Sequence, residues 1–451
     1  MSPPSGKPTL ARAVSRWQVV SLGANDVIGG GVYLLPAVAA AALGSASPWA
    51  VLAAGALVLM LVLCFAEAGS LFDEPGSGYV YTREAFGEFV GFEVGWMTWI
   101  ARVASAASLA NGVALAITGV WPGAAGGAGR ALVVIAVLGG LTAINLAGVK
   151  HGARTAVVLI VCKLLPLLLL IAVGIFAIHW GRVFAVPRPD MKGLGSVGLL
   201  LLFAYAGFEN TAGAAGEFRN PRRDVPFALI LTISSVTAIY TLIQLIALGV
   251  VPGLGSTKTP LADAAGILVG RSGIWLLTVG GVLSVIGTCN NAVLAGGRYL
   301  YALAARGRVP RVFASVHPRF RTPWIALLTH LALAVPLALS GSFAQIAALS
   351  VIARMASYIG TAAAVPVLRR KLPATARTVR LPGGPVIPIA ALVVCLIFLS
   401  SATRRNLVAG AIALAVGAII YVAHRGRSPA GLTPAPDGTD DASESRYSVL
   451  P

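Results

Sequence analysis

The residues best suited to chemistry are four ionisable side chains that lie inside apolar stretches of the chain: Asp26, Arg102, Lys163 and Glu209. A charge at membrane depth is costly, so such residues are usually paired with one another or take part in function. A lysine removed from water can release and regain a proton. A buried carboxylate such as Glu209 can do the same, or it can hold nearby backbone through hydrogen bonds. The four residues are therefore candidates for proton coupling or gating.

Other roles are open for each of these residues. Asp26 could form an ion pair with Arg102 or contact a cationic substrate directly, and Arg102 could instead face a cytoplasmic vestibule. Lys163 could snorkel toward the cytoplasmic end of its span. Glu209 could be a structural carboxylate whose hydrogen bonds are satisfied within the protein. At the level of the sequence these alternatives stay open.

A run of three glycines, Gly29–Gly31, lies in the first apolar stretch, a few residues before Pro36. Glycine weakens a helix interior and proline removes a backbone hydrogen bond, so we do not expect an unbroken helix through residues 25–31. Freed backbone groups at membrane depth are tolerated where they line a cavity, and broken helices mark the binding sites of transporters. The pattern predicts a substrate site at Val27, Ile28 and the three glycines. The alternative is a glycine-rich face for helix packing.

A second interruption lies in the sixth apolar stretch, five spans after the first. Small and aromatic residues alternate there, namely Phe203, Ala204, Tyr205, Gly207 and Phe208. Interruptions at corresponding positions are typical of transporters built from inverted repeats. We assign these residues to the same predicted site, where the aromatic rings close over a substrate or else pack in the core. Asn290 and Asn291, in the eighth stretch, are candidate polar lining.

The composition indicates a polytopic membrane protein. Of 451 residues, 57% are hydrophobic and 11% are charged, whereas a soluble domain carries roughly 25% charged residues. The net charge of +18 comes from basic residues in short loops between apolar spans. That is the distribution of cytoplasmic membrane loops and not of a nucleic-acid-binding surface, so we expect the lipid bilayer as a partner and no nucleic acid.

No cysteine or histidine pattern suggests a disulfide framework, a metal site or a cofactor. The cysteines lie in separate apolar stretches and the histidines are scattered without metal-ligand spacing; they are Cys64, Cys162, Cys289, Cys395, His151, His179, His317, His330 and His424. We also find no convergent nucleophile. The sequence therefore predicts a protein that is not an enzyme and needs no cofactor.

The fold class expected from the apolar pattern is all-α, with twelve transmembrane helices of about 20 residues each. The spans are expected near residues 17–42, 48–71, 89–119, 131–149, 155–179, 194–217, 226–251, 272–304, 323–340, 345–366, 386–403 and 405–423. Lys and Arg concentrate in alternate loops, which places both termini in the cytoplasm of a multi-pass cell-membrane protein.

The expected domain organisation is a ten-helix core followed by a two-helix appendage. The core covers 17–366, with inverted repeats at about 17–180 and 194–366. A cytoplasmic segment at 1–16 precedes it, and a linker rich in Arg, Lys, Pro and Gly follows at 367–385. Helices 11 and 12 occupy 386–424, and 425–451 has the composition of a disordered cytoplasmic tail. No residue pattern addresses the oligomeric state.

Several motifs, taken in order, resemble the amino acid–polyamine–organocation transporters. The first-helix motif GGGVYLLP occupies 29–36, and Glu67 is followed by PGSGYVY at 75–81 and by Gly95 and Trp96. The sixth-span run at 203–209 leads into EFRNPRRDVP at 217–226. A further similarity is RGRVP at 306–310 with Thr322 and Pro323. The resemblance covers residues 17 to about 420.

This resemblance implies a leucine-transporter-type five-plus-five inverted repeat, with helices 1 and 6 broken, that works by alternating access. It implies an amino acid or a related amine as substrate. Gly29, Gly30 and Gly31 would then hold the carboxylate, and carbonyls of Val27, Ile28, Phe203 and Ala204 would accept from the ammonium. Lys163 resembles the lysine that replaces a sodium ion in proton-coupled members, and Glu209 resembles a glutamate tied to gating and pH sensing.

The function expected from the sequence is proton-coupled transport of an amino acid. The main alternative is exchange of an amino acid for an amine. An agmatine-type exchanger is disfavoured because the large aromatic residue that such exchangers carry near Asn291 is absent here. A transporter-like sensor would need a signalling domain, and a channel would need a continuous polar pore, so both are weaker alternatives.

Overall fold

The computed structural model describes residues 15–72, 76–119, 121–147, 152–185, 191–213, 218–373 and 378–424. Most of these residues are helical. In chain order the α-helices are α1 (Arg16–Val27), α2 (Gly30–Leu43), α3 (Ser47–Gly69), α4 (Gly78–Phe86), α5 (Glu88–Ala116), α6 (Gly127–Ala147), α7 (Gly152–Gly174), α8 (Trp180–Val183), α9 (Met191–Tyr205), α10 (Phe208–Gly213), α11 (Pro221–Val250), α12 (Pro260–Val269), α13 (Arg271–Ala305), α14 (Trp324–Ser340), α15 (Phe343–Lys371), α16 (Val386–Ser400) and α17 (Arg404–Ala423).

The protein is a multi-pass membrane protein. Among the described residues, seven continuous segments are long and apolar enough to cross a bilayer: Gly30–Gly69, Glu88–Ala116, Gly127–Ala147, Pro221–Val250, Arg271–Ala305, Phe343–Lys371 and Arg404–Ala423. Shorter apolar helices add Lys163–Ala177, Val197–Ala212, Pro260–Val269, Trp324–Ser340 and Val386–Ser400. The expected twelve crossings stay a prediction, because broken and short helices fall below the length of a full span.

The first helix of the bundle is broken between α1 and α2. Ile28 is extended, with φ −73° and ψ 100°, and its N–H closes the last turn of α1 on the carbonyl of Ala24. Gly29 has φ −137° and ψ −145°, after which α2 begins at Gly30. The interruption is thus two residues long, shorter than the stretch in which the sequence predicted it. Pro36 lies inside α2 without ending it.

The second break separates α9 from α10 at Ala206 and Gly207. Gly207 has φ +126°, a conformation open to glycine and rarely to other residues. A Cβ atom at this position would lie 2.6 Å from the backbone oxygen of Asp26. The two breaks therefore touch each other through backbone, and a side chain at Gly207 would push them apart.

The breaks are enclosed by long helices. α5 packs against both α13 and α15, and α3 packs against α11. α16 lies against α3 and α15, while α17 lies against α5 and α15. Only Gly410 and Gly417 of α17 are buried, and its other side chains include exposed Ile412 and Ile419, which suits contact with lipid. α17 therefore lies at the periphery of the bundle.

The expected linker at 367–385 begins within a helix, because α15 continues to Lys371. The buried Glu67 of α3 contacts this segment near both of its ends. Arg369 Nη2 donates to Glu67 at 2.6 Å, and the Leu381 N–H donates to it at 3.1 Å. The predicted tail at 425–451 and the first fourteen residues lie outside the described part of the chain. Glu217, the first residue of the EFRNPRRDVP motif, also lies outside the described part.

Candidate substrate site

A small cavity lies between the two helix breaks. It has a volume of about 30 Å³, which is space for one or two water molecules. Residues from the two breaks and from the surrounding helices line this cavity: Asp26, Val27, Gly29, Gly30, Gly31, Arg102, Ser105, Leu109, Phe203, Ala204, Ala206, Gly207, Asn210, Thr288, Asn291, Ala292 and Arg354.

The glycines form a backbone surface on one side of the cavity. Gly30 and Gly31 belong to the first turn of α2, whose N–H groups have no partner within the helix. A Cβ atom on Gly29 would lie 2.8 Å from Thr288 Oγ1, and one on Gly31 would lie 2.7 Å from Ala204 Cα. Glycine is required because the neighbouring helices leave no room for a side chain. The N–H groups without a partner in the helix and the positive end of the helix dipole suit an anionic group.

Lys163 of α7 holds the C-terminal end of α1 at the first break. Its side chain is fully buried. Nζ donates to the carbonyl oxygens of Asn25 at 3.0 Å and Ile28 at 3.2 Å, and to Thr288 Oγ1 at 3.2 Å. A buried ammonium thus occupies the position where freed carbonyls at the end of α1 need a donor. This contact joins α1, α7 and α13 at one point, so a change in the charge of Lys163 would act directly on the broken helix.

Tyr240 of α11 joins the two breaks. Its hydroxyl lies 3.2 Å from the carbonyl oxygen of Val27 and 3.3 Å from that of Ala204. A hydroxyl carries one proton and donates to one of these oxygens at a time. Because Val27 ends α1 and Ala204 lies in the last turn of α9, Tyr240 ties together the two interrupted helices.

Tyr240→Phe is expected to lower the free energy of unfolding by about 1–3 kcal/mol, because loss of the shared donor leaves buried carbonyls without a partner. Thermal unfolding of the purified protein is the measurement. Thr237→Val is the matched control, since Thr237 lies one turn earlier on α11 and its hydroxyl donates to Ile233 of the same helix. An equal change in both variants would contradict a specific role of Tyr240.

Glu209 is the centre of a buried charge cluster beside the second break. Arg102 Nη2 lies 3.0 Å from its Oε1, and Arg354 Nη1 pairs with the same oxygen. The N–H of Gly207 donates to Oε2 at 3.0 Å, and the Tyr358 hydroxyl lies 3.4 Å from it. Glu209 therefore joins α5, α10 and α15 and fixes the backbone of the break. Both the structural and the gating interpretation from the sequence are compatible with these contacts.

Glu209→Gln is expected to lower the free energy of unfolding by about 3–5 kcal/mol, because it leaves two buried arginines without their anion. Thermal unfolding of the purified protein measures this loss. The control is Glu88→Gln, which removes an exposed carboxylate paired with Arg308 at 2.9 Å and should cost less than about 1 kcal/mol. If the two variants unfolded alike, the cluster would not carry the stability assigned to it.

Asp26 and Arg102 do not form the ion pair considered from the sequence, as far as the described residues show. Arg102 pairs with Glu209 and also donates to Asn210. Asp26 instead accepts from Asn291 Nδ2 at 2.5 Å. The reason is geometric: Asp26 precedes the first break and faces α13, whereas Arg102 faces α10. Asp26, Arg102 and Asn291 nevertheless all line the cavity.

Two aromatic residues assigned to the substrate site lie elsewhere. The Tyr205 ring is buried against Tyr240, and its hydroxyl donates to the carbonyl of Val51 at 3.0 Å. Phe208 stacks on Tyr358 and meets Phe65 edge to face, so it belongs to the core. Successive residues beside a break point in different directions, and of the three aromatic rings only Phe203 lines the cavity.

The remaining predicted residues divide between the wall and its support. Val27, Ala204 and Gly207 line the cavity with the three glycines. Ile28, Lys163 and Glu209 do not line it; they hold the breaks from behind through the hydrogen bonds described above. Asn290 bonds to Asn145 of α6 at 2.7 Å, which leaves Asn291 as the asparagine that faces the cavity.

Several residues of the site were not among those predicted from the sequence. Arg354 lies within an apolar stretch of the sequence, and a charge in such a stretch is a signal that it needs an acid. Tyr240, Ser105, Asn210 and Thr288 gave no signal, because single polar residues in apolar helices are common. Arg354 Nη2 donates to Ser105 Oγ at 2.6 Å, so the missed residues form contacts with one another.

Comparison with known proteins identifies the family. The chain matches the sequence model of the amino acid permease family over residues 14–421. It is 28% identical over 438 residues to the methylthioribose transporter of Bacillus subtilis, covering 93% of this chain and 95% of the relative. It is 31% identical over 387 residues to the serine/threonine exchanger of the same organism, covering 83% and 87%. With the branched-chain amino acid permease of that organism it shares 25% over 441 residues, covering 92% and 94%.

The matches bear directly on the resemblance noted from the motifs. They run through both helix breaks and the helices that enclose the cavity. The relatives are named as a transporter, an exchanger and a permease, and not as enzymes. The resemblance is confirmed: this chain belongs to the amino acid permease family within the amino acid–polyamine–organocation transporters, and it is a membrane transporter and not an enzyme.

Proposed function

We propose that the protein carries an amino acid across the cell membrane by alternating access and couples this movement to protons. The observation that carries the proposal is the cavity between two helix breaks, with glycine N–H groups on its wall and the Lys163 ammonium behind it. The five-plus-five inverted repeat, the twelve crossings and the cytoplasmic position of both termini are parts of the same proposal.

The substrate carboxylate is assigned to Gly30 and Gly31. Their N–H groups are unpaired within α2 and sit at the positive end of its dipole. The ammonium is assigned to carbonyls at the end of α1 and in α9. The carbonyls of Val27 and Ala204 already face Tyr240, but a carbonyl oxygen has two lone pairs and can accept a second donor.

Proton coupling is assigned to Lys163. Its Nζ contacts two backbone oxygens and one hydroxyl, none of which carries a charge. Because these partners are neutral, loss of the proton would leave no unpaired anion in contact with Nζ. Release of the proton would remove a charged donor from the end of α1, and binding would restore it. The position of the broken helix would then depend on protonation.

The first test is a thermal-unfolding screen of the purified protein against the common amino acids, polyamines and methylthioribose. A ligand that binds the folded state alone raises the unfolding temperature. We expect stabilisation by one or more amino acids. Stabilisation by methylthioribose alone, a thiosugar with neither carboxylate nor ammonium, would contradict the assignment of the glycine N–H groups.

Exchange is the second candidate, and the serine/threonine exchanger among the relatives favours it. An exchanger moves substrate inward only when a counter-substrate is available inside. Liposomes with and without internal amino acid or amine separate the two modes. Uptake into empty liposomes supports the proton-coupled mode, and a strict need for preloading supports exchange.

A further inference from the structure

Arg102 carries a hydrogen-bond donor that the protein leaves unused. Its Nη2 donates to Glu209 and Asn210. Its Nε is buried, and among the described residues it has no hydrogen-bond partner. Arg102 is 3% exposed and lines the cavity. A buried N–H without an acceptor is unfavourable, so an acceptor supplied from outside the chain would be bound favourably here.

Glu209 and Asp26 Oδ1, two acceptors near Arg102, are already engaged. Glu209 accepts from Arg102, Arg354 and the Gly207 N–H. Asp26 Oδ1 accepts from Asn291. Arg354, the second arginine on the wall, gives its Nη2 to Ser105. Among the described side chains on the wall, the buried donor left without an acceptor is thus Arg102 Nε.

Arg102 and the glycines lie at different levels of the same cavity. A Cβ atom on Gly30 would lie 3.3 Å from Leu109 Cδ2, so Leu109 marks the level of the glycines on α5. Arg102 precedes Leu109 by two helical turns, which is about 10 Å along the helix. A substrate whose carboxylate sits at the glycines has its side chain free to extend along α5 toward Arg102.

The charges around the cavity oppose a cationic side chain. Arg102, Arg354 and Asp26 line it, while Glu209 and the Lys163 ammonium lie behind the two breaks. Three cations thus stand against two anions around the site. A lysine or arginine side chain would add a further positive charge at the end of the cavity that already has Arg102 and Arg354, and a buried charge without a partner is costly.

We infer that the side-chain end of this cavity binds an oxygen acceptor, so that the preferred substrates are amino acids with a hydroxyl, amide or carboxylate side chain. Arg102 Nε donates to that oxygen and selects against aliphatic and cationic side chains. The inference rests on the proposed transport of amino acids, and it assigns to Arg102 a specificity role in addition to its pairing with Glu209.

The test compares pairs of amino acids of similar shape. Threonine against valine, and asparagine against leucine, differ mainly in the oxygen acceptor. Binding of each to the purified protein is measured by the rise in unfolding temperature with ligand concentration. We expect threonine and asparagine to bind at least about tenfold more tightly than their partners, and lysine to bind more weakly than either. Aspartate against asparagine shows whether a carboxylate or a neutral oxygen is preferred; both support the inference.

Arg102→Lys keeps a cation beside Glu209 and removes Nε. We expect the threonine-to-valine ratio to fall to about one in this variant, while the glycine end still binds both. Arg298→Lys, an exposed arginine of α13, is the matched control and should keep the wild-type ratio. A loss of affinity that is equal for threonine and valine in Arg102→Lys would indicate a structural role alone.

The failure of this inference differs from the failure of the proposed function. If no amino acid bound, the proposed function would be wrong. If valine and leucine bound as tightly as threonine and asparagine, amino-acid transport would stand and the inference would be overturned, with water as the partner of Arg102 Nε. Should Arg102→Lys not fold, the ratios in the unaltered protein decide the outcome.

Discussion

Lys163→Ala is expected to abolish pH-driven accumulation of substrate. With one proton moved per substrate, a pH difference of about one unit supports accumulation of about tenfold, since each corresponds to about 1.4 kcal/mol. The alanine variant has no group at this position that can carry the proton, so its internal concentration should level off at the external one. Radiolabelled uptake into liposomes under an imposed pH gradient measures the ratio.

A control variant separates the loss of proton coupling from a general loss of transport activity. Lys258→Ala removes an exposed lysine from the segment before α12 and should accumulate substrate like the unaltered protein. Lys163→Ala should still bind substrate, as judged by thermal stabilisation, because Lys163 does not line the cavity. Full pH-driven accumulation by Lys163→Ala would show that another group carries the proton.

Gly31→Ala is expected to reduce transport to less than about a tenth of the unaltered rate. The added Cβ atom would lie 2.7 Å from both Cα and Cβ of Ala204. Backbone cannot yield as a flexible side chain can, so α2 and α9 must separate, and overpacking of this kind costs about 1–3 kcal/mol. The glycine N–H groups would then leave the position assigned to the substrate carboxylate. Initial uptake rates, normalised to the protein present in the membrane, measure the effect.

Gly140→Ala is the matched control for this substitution. Gly140 lies in α6 and is exposed, and a Cβ atom added there would meet no heavy atom of the described residues within 4 Å. Alanine is favoured over glycine in a helix by about 1 kcal/mol, so this variant should transport normally and be at least as stable. Normal transport by Gly31→Ala would contradict the close packing of the two broken helices.

The positions of the breaks followed from the sequence because they depend on local chemistry. Three consecutive glycines weaken a helix wherever they occur, and Gly207 adopts a positive φ that other residues rarely accept. The family resemblance also pointed to Lys163, and the structure places its ammonium against the carbonyls freed by the first break. These features need only neighbouring residues or one strong motif to be recognised.

The partners of the buried charges did not follow from the sequence. Arg354 and Glu209 are 145 residues apart, and Asn291 and Asp26 are 265 apart. Membrane helices are apolar around most of their surface, so the hydrophobic pattern gives little information about which face meets which neighbour. Tyr240 was missed for the same reason. Its role comes from the meeting of the ends of α1 and α9 at one hydroxyl of α11, which is a property of the fold.

The central claim is that amino acid and proton cross the membrane together. Its most direct test is to record the internal pH of liposomes containing the purified protein when an amino acid that stabilises it is added outside. The membrane potential is held at zero, and the liposomes contain no amino acid or amine. We predict that substrate enters and the interior becomes more acidic, in proportion to the substrate taken up. Uptake without any change in internal pH, or uptake only after preloading with amino acid or amine, would contradict the account.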